Sequence, residues 1–265
     1  MKNFNQYKDK LLNIWTCDHR KENEQSPPEY VSKINHIDYY TFENYEGTHL
    51  NSIQYFINEI TCLTYPYLNN VKSNYIAFDH YSRRIRPESI CNIHLTRNPK
   101  YFLNATFFLH NHFEEHCDYW IIPKQIQDDI LEFLSIYKPK LLSYAKRYVF
   151  TERCNIFIMP WKHYVQLAEF DMNYINFIAN KYGLVYDKDK WKKHIQDIYI
   201  KPNYGKTLRY MNSKISYDTF NSYRIYGFNL EFLNGLFITA ILHGKQSKFS
   251  LSYINESEKT QSKYL

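Results

Sequence analysis

Asp79, His80, Tyr81, Ser82, Arg83 and Arg84 stand in a row directly after the apolar run Tyr75-Ile76-Ala77-Phe78. The run has the length and composition of a buried strand, and strand ends in α/β proteins are where ligands are held. A guanidinium fork matches the oxygens of phosphate and carboxylate, so Arg83 and Arg84 point to an anionic ligand. The chain has neither a P-loop nor a G-x-G-x-x-G turn, so side chains rather than a glycine-rich backbone must hold that anion. The plainer alternative is a surface turn with ordinary charges.

A second cluster runs from His110 through His112, Glu114, Glu115 and His116 to Asp118. Histidine and carboxylate are zinc-ligand types, but His112-Phe-Glu-Glu-His116 departs from the H-E-x-x-H order of metalloproteases. A solvated helix start explains the cluster without function. A better functional reading pairs His116 with Asp118 as acid/base partners, because histidine titrates near neutrality and a carboxylate can orient it. Two further acids stand in apolar surroundings. Glu59 lies in a helical pattern, and Glu231 follows Arg224-Ile-Tyr-Gly227-Phe228 near the start of the last helix, where a first-turn acid favours the dipole. No G-x-S-x-G elbow is present.

The chain has 265 residues, 44% apolar and 23% charged, which is the profile of one large globular domain. Tyr (27) and Phe (18) are abundant, but Asn, Lys and Ile are common too. That pattern reflects AT-rich codon usage rather than stacking surfaces for nucleic acid. A net charge of +6 without a block of like charges argues against a nucleic-acid partner and suits a small anion or an anionic membrane face. The five cysteines show no CxxC pair, so reduced thiols are expected and a zinc ribbon is excluded. The N-terminus lacks an apolar signal core, and the Leu236–Leu242 run is far short of the ~20 residues that span a bilayer. A cytoplasmic protein is expected, with peripheral contact at the inner face of the membrane.

These side chains need elements to position them. Leu11 to Cys17 reads as a first strand running into Asp18-His19-Arg20. Ile53, Phe56, Ile57, Ile60 and Leu63 give one helix over 53–68, and Tyr75 to Phe78 gives a second strand, so a βαβ unit with parallel strands is expected. Residues 123–148 read as two helices broken at Pro139, and Cys154 to Met159 as a strand ended by Pro160. His163 to Tyr182 reads as a helix capped by Gly183. Residues 184–222 read as an irregular surface excursion, and Asn229 to His243 as a helix with Asn229 at its N-cap. One domain over 1–244 is expected, with a loose polar tail over 245–265.

Taken in order, these segments resemble a family of bacterial glycosyltransferases from capsule and O-antigen gene clusters, long described as a domain of unknown function, some of whose members transfer galactofuranose. The family pattern begins with a strand followed by His-Lys; Thr16-Cys17-Asp18-His19-Arg20 is similar. Its Gly-Asp-Asn-Ile-Ser and Cys-Glu-Leu-Thr motifs resemble Gly47-Thr48-His49-Leu50-Asn51 and Asn58-Glu59-Ile60-Thr61. Its Gly-Leu-Cys-His-Tyr-Arg-Arg resembles Ala77-Phe78-Asp79-His80-Tyr81-Ser82-Arg83, and its Asn-Met-Phe-Ile-Met resembles Asn155-Ile-Phe-Ile-Met159. Its Arg-x-x-Gly-Phe-x-x-Glu-Arg-Leu resembles Arg224-Ile-Tyr-Gly227-Phe228-Asn-Leu-Glu231-Phe232-Leu233. Ser82 and Phe232 stand where the family carries arginine, and Thr48 and His49 where it carries Asp and Asn.

The resemblance implies a GT-A-like α/β fold with a mixed, mostly parallel sheet flanked by helices. It implies transfer of a sugar from a nucleotide-sugar, a UDP-sugar by analogy, to a polysaccharide or lipid-linked glycan. It places the donor against His19, Arg20, Glu59, Asp79, His80, Arg83, Asn155 and Arg224. The acceptor base would be Asp118, Glu231 or His116. The cofactor stays open between two alternatives: cationic side chains neutralise the diphosphate alone, or Asp79 holds Mn2+ or Mg2+. The alternatives are a nucleotide-sugar or glycan-binding protein without turnover, and a metal-dependent hydrolase built on His110–Asp118.

Overall fold

The computed structural model describes residues 12–18, 35–38, 48–72, 75–80, 83–85, 102–103, 108–110, 113–120, 122–145, 149–151, 155–199, 224–242, 251–253 and 261–263. Strand β1 (Leu12–Asp18) pairs in parallel with β2 (Asn35–Asp38). A 3-10 turn (Asn51–Ile53) leads into α1 (Gln54–Ile57); α2 (Ile60–Leu68) follows, and then β3 (Tyr75–His80). β3 lies parallel to β1 on its other side, with Trp15 opposite Phe78 and Thr16 opposite Asp79. This is the arrangement that the strand–helix–strand spacing predicts. The strand runs two residues further than expected, so Asp79 and His80 belong to its carboxyl end.

β4 (Arg83–Ile85), β5 (Phe102–Leu103) and β6 (Phe108–His110) come next, then α3 (Phe113–Trp120), α4 (Lys124–Tyr137) and α5 (Pro139–Ala145). β7 (Val149–Thr151), β8 (Phe157–Pro160), α6 (Trp161–Tyr182), α7 (Lys188–Tyr199) and α8 (Ile225–Ala240) precede β9 (Leu251–Tyr253) and β10 (Gln261–Lys263). The second edge of β3 is shared: β8 runs antiparallel along Tyr75–Phe78, and β4 pairs at His80. β5 continues from β8, while β9 and β10 continue from β4; β6 and β7 form a separate ladder. The sheet is therefore mixed, with its parallel part confined to β2, β1 and β3, and not mostly parallel as expected. Two residues separate β3 from β4, and so short a link allows only an antiparallel return. The segment after Lys245 is not wholly a tail, since β9 and β10 extend the sheet.

Helices α2, α4, α6 and α8 share one apolar core with the sheet. The phenol of Tyr164 on α6 donates to the Leu63 carbonyl (2.7 Å) and accepts from the Tyr67 N–H (2.8 Å), tying α6 to the last turn of α2. Phe133 on α4 is fully buried among the rings of Phe170, Tyr174 and Phe177 of α6, at centroid distances of 5.3, 5.1 and 5.8 Å. At the other end of α6, Tyr182 donates to the Asp129 carboxylate (2.8 Å), which Lys181 also reaches at 2.8 Å. Gly183 then adopts φ 64°, and Leu184 N–H closes on the Ala179 carbonyl at 2.8 Å, the helix stop that glycine there predicts.

Three elements differ from expectation. The single helix over 53–68 is two, broken at Asn58-Glu59. Residues 188–199 form α7, capped by the Asp187 side chain, which accepts from the N–H groups of Asp189 (2.9 Å) and Lys190 (3.2 Å). α8 begins at Ile225, so Asn229 is a buried interior residue and not its cap.

His194 of α7 is buried between the Tyr182 ring (4.2 Å) and Tyr226 of α8, whose hydroxyl is 2.7 Å from its Nε2. Burial pulls its pKa down to about 4, against which the charge of Asp197 works. The unfolded chain therefore takes up this proton first as pH falls, and the stability lent by neutral His194 is complete above 6.5 and lost on the way to 4. Urea unfolding should show a loss of about 1.4 kcal/mol per pH unit within that window, and a His194→Gln variant should lack that component. An unchanged pH slope in the variant would contradict this.

Candidate functional site

The helix break is made by one residue. Asn58 has φ 51° and ψ −132°, a backbone state that side-chain-bearing residues rarely adopt. Its N–H still closes α1 on the Gln54 carbonyl (2.9 Å), and the next residue, Glu59, begins the turn of α2 by accepting from Cys62 and Leu63 N–H at 3.0 Å. Asn58 and Glu59 are both buried, and both face α8.

From α8, the Nε of Arg224 donates to the Asn58 Oδ1 at 2.6 Å, and an Arg224 terminal nitrogen lies 3.5 Å from the Glu59 carboxylate. The guanidinium also sits over the Phe228 ring, 5.5 Å from its centroid. One turn on from Arg224, Gly227 lets the helix come close. A Cβ there would stand 2.1 Å from the Asn58 Nδ2 and 2.6 Å from its Cγ. The Arg-x-x-Gly spacing thus has a physical meaning: residues three apart share a helix face, and one grips the break while the other makes room for it.

Glu231 and Asn234 follow on the same face of α8 by their spacing. The Nδ2 of Asn234 donates to the Asn155 Oδ1 at 2.9 Å, and both residues are buried. Asn155, with φ 50°, stands two residues before Phe157, which pairs with Phe78. It therefore lies beyond Phe78 in register, at the carboxyl end of β3, where Asp79 is 2% exposed. One face of α8 thus runs from the helix break to the strand end. Glu59, Arg224 and Asn155, named from sequence as donor-binding residues, fall along this line, with Glu231 between Arg224 and Asn234. Asn58 and Asn234 were not singled out. Their partners are 166 and 79 residues away, so no local pattern marks them.

A buried acid adjoins the line. Asp171 of α6 is fully buried, with Asn234 beside it. Burial raises its pKa well above the carboxylate range, and a hydrogen bond from Asn234 works the other way. On α3, Phe113 packs against Phe232 of α8 (5.6 Å between centroids), while Asp118 is exposed. Burial first, then the charge of Asp118, pushes the neighbouring Cys117 thiol up to about 12, which disfavours its thiolate at neutral pH. Only the backbone is described for His116, His80 and Arg83; His19 and Arg20 lie outside the described residues. Cys62 and Cys117 are both buried. Among the described residues, no group of three or more His, Cys, Asp or Glu is placed to hold a metal, and no helix is long and apolar enough to cross a membrane.

No family model matches the chain, and no curated protein matches it. Among solved structures, it is similar to the bifunctional glycosyltransferase WbbM in its apo form, with a TM-score of 0.58 at 11% identity. The match covers 93% of this chain and 46% of that one, so this chain spans about half the length of that protein. The likeness is one of fold.

The contact between Gly227 and Asn58 gives a direct test. Gly227→Ala should lower stability by about 1–3 kcal/mol in urea unfolding, because the added methyl meets a buried amide on a constrained backbone. A loss below about 0.5 kcal/mol would show that α8 does not approach the break so closely.

Proposed function

We propose that this chain is a glycosyltransferase of GT-A-like fold that moves a sugar from a nucleotide-sugar, a UDP-sugar by resemblance, to a glycan or lipid-linked acceptor. The observation that carries the reading is the Arg224–Glu59 pair, which joins the start of α8 to the start of α2, in a chain whose fold matches half of a bifunctional glycosyltransferase. A cation held beside a carboxylate suits a donor that is anionic at its diphosphate and rich in hydroxyls at its sugar.

In this reading Arg224, with Arg83 at the strand end, faces the diphosphate, and Glu59 and Asn155 hydrogen-bond the donor. Glu231 takes the proton from the acceptor hydroxyl; Asp118 and His116 are the other candidates. The acceptor oxygen attacks the anomeric carbon, the bond from that carbon to the phosphate oxygen breaks, and the nucleoside diphosphate leaves with the electron pair. Charge builds on its oxygens, and a preorganised guanidinium there stabilises the transition state more than the ground state. Asp79 offers one buried carboxylate at this edge. A divalent cation that shares phosphate oxygens and water is compatible with a single such ligand and would neutralise the leaving group.

A lipid-linked acceptor would place the protein at the inner face of the membrane. Lys188, Lys190, Lys192 and Lys193 of α7 are exposed, with Asp187, Asp189 and Asp197 among them and exposed Val185 and Tyr186 beside them, and the lysines on this mixed surface suit contact with anionic lipid.

Thermal unfolding with a panel of nucleotides and nucleotide-sugars, in EDTA and in Mn2+, tests the reading. UDP or a UDP-sugar should stabilise the protein, by about 2.7 kcal/mol at a hundredfold excess over Kd. Glu231→Gln should keep that stabilisation and lose turnover. A UDP shift without turnover in the native chain would favour a binding protein. No shift with any nucleotide would contradict the reading.

A further inference from the structure

Asn58 is unfavourable where it stands on two counts. Its positive φ with ψ −132° is a state glycine tolerates and asparagine does not, since asparagine's left-handed excursions hold ψ near +50°. Its Nδ2 is buried without a hydrogen-bond partner, pressed toward the bare Cα of Gly227. A glycine at 58 would relieve both. What the asparagine adds is one acceptor, Oδ1, aimed at the Nε of Arg224. The amide cannot be turned over, because its NH2 would then face another donor.

That acceptor is neutral. Arg224 is gripped at Nε by Asn58, has Glu59 at a terminal nitrogen at the longer distance of 3.5 Å, and lies over Phe228. Its side chain is 23% exposed. An amide fixes the plane of the guanidinium without adding a negative charge, whereas a carboxylate at the same place would add a second one beside that of Glu59. We infer that Asn58 is a positioning residue: it trades local strain for an Arg224 held in one orientation and directed at the diphosphate of the donor. The functional half of this rests on the glycosyltransferase reading; the positioning half does not.

The test compares wild type with Asn58→Gly and Asn58→Asp in the full chain, using UDP as probe. Three quantities are read: the melting temperature, the Kd for UDP, and the 15N–1H signal of the Arg224 Nε, assigned by its loss in Arg224→Lys. Asn58→Gly should melt at or above the wild-type temperature, lose the slowly exchanging Nε–H signal, and bind UDP about tenfold or more weakly. Asn58→Asp should keep the signal and still bind UDP more weakly, because a negative charge now sits beside the diphosphate. A protected Nε–H in Asn58→Gly, an unchanged Kd, or a lower melting temperature would each overturn the proposal, the last by showing a purely structural role. If wild type itself binds no UDP, the donor reading falls, while the Nε–H comparison still decides whether Asn58 orders Arg224.

Discussion

The close approach of α8 to the broken helix between Asn58 and Glu59 is the constraint on which the candidate site depends. α8 can come this near only because position 227 carries no side chain. Once it does, Arg224 reaches the Asn58 amide and the Glu59 carboxylate, and two turns beyond Glu231's neighbour Gly227 the same helix face meets Asn155 through Asn234. The start and the middle of one helix are thus fixed against elements far apart in sequence. The polar face between them is held in place by the apolar core behind it, where Phe237 stacks on Phe170 and Tyr226 packs against Trp191.

Much of this frame is legible from residue order. β1 and β3 are short apolar runs, and α6 ends at a glycine whose left-handed φ stops it. The break at Asn58 is not legible, because Ile53, Phe56, Ile57, Ile60 and Leu63 keep helical spacing through it and one residue of unusual φ leaves the period intact. α7 hides for a different reason. Its exposed face is crowded with Lys and Asp, and the buried set Trp191, His194, Ile195 and Ile198 is visible only at i, i+3, i+4 and i+7. Asn229 resembles a cap by type, yet it is buried in α8, where packing against α6 sets the helix start four residues earlier.

The site divides in the same way. Glu59, Asn155 and Arg224 were marked by residue type and motif, and the fold sets them along one helix face. Asn58 and Asn234 answer them from across the chain and carry no local signature. Asp118 sits exposed on α3, and Glu231 lies by its spacing on the face of α8 that carries both Arg224 and Asn234.

The most direct measurement is a crystal structure of the chain with UDP. The account predicts nucleotide density at the carboxyl end of β1 and β3, with the diphosphate in hydrogen-bond reach of the Arg224 guanidinium and Asn58 still bound to its Nε. Nucleotide seated elsewhere, or Arg224 turned away from an occupied site, would contradict it.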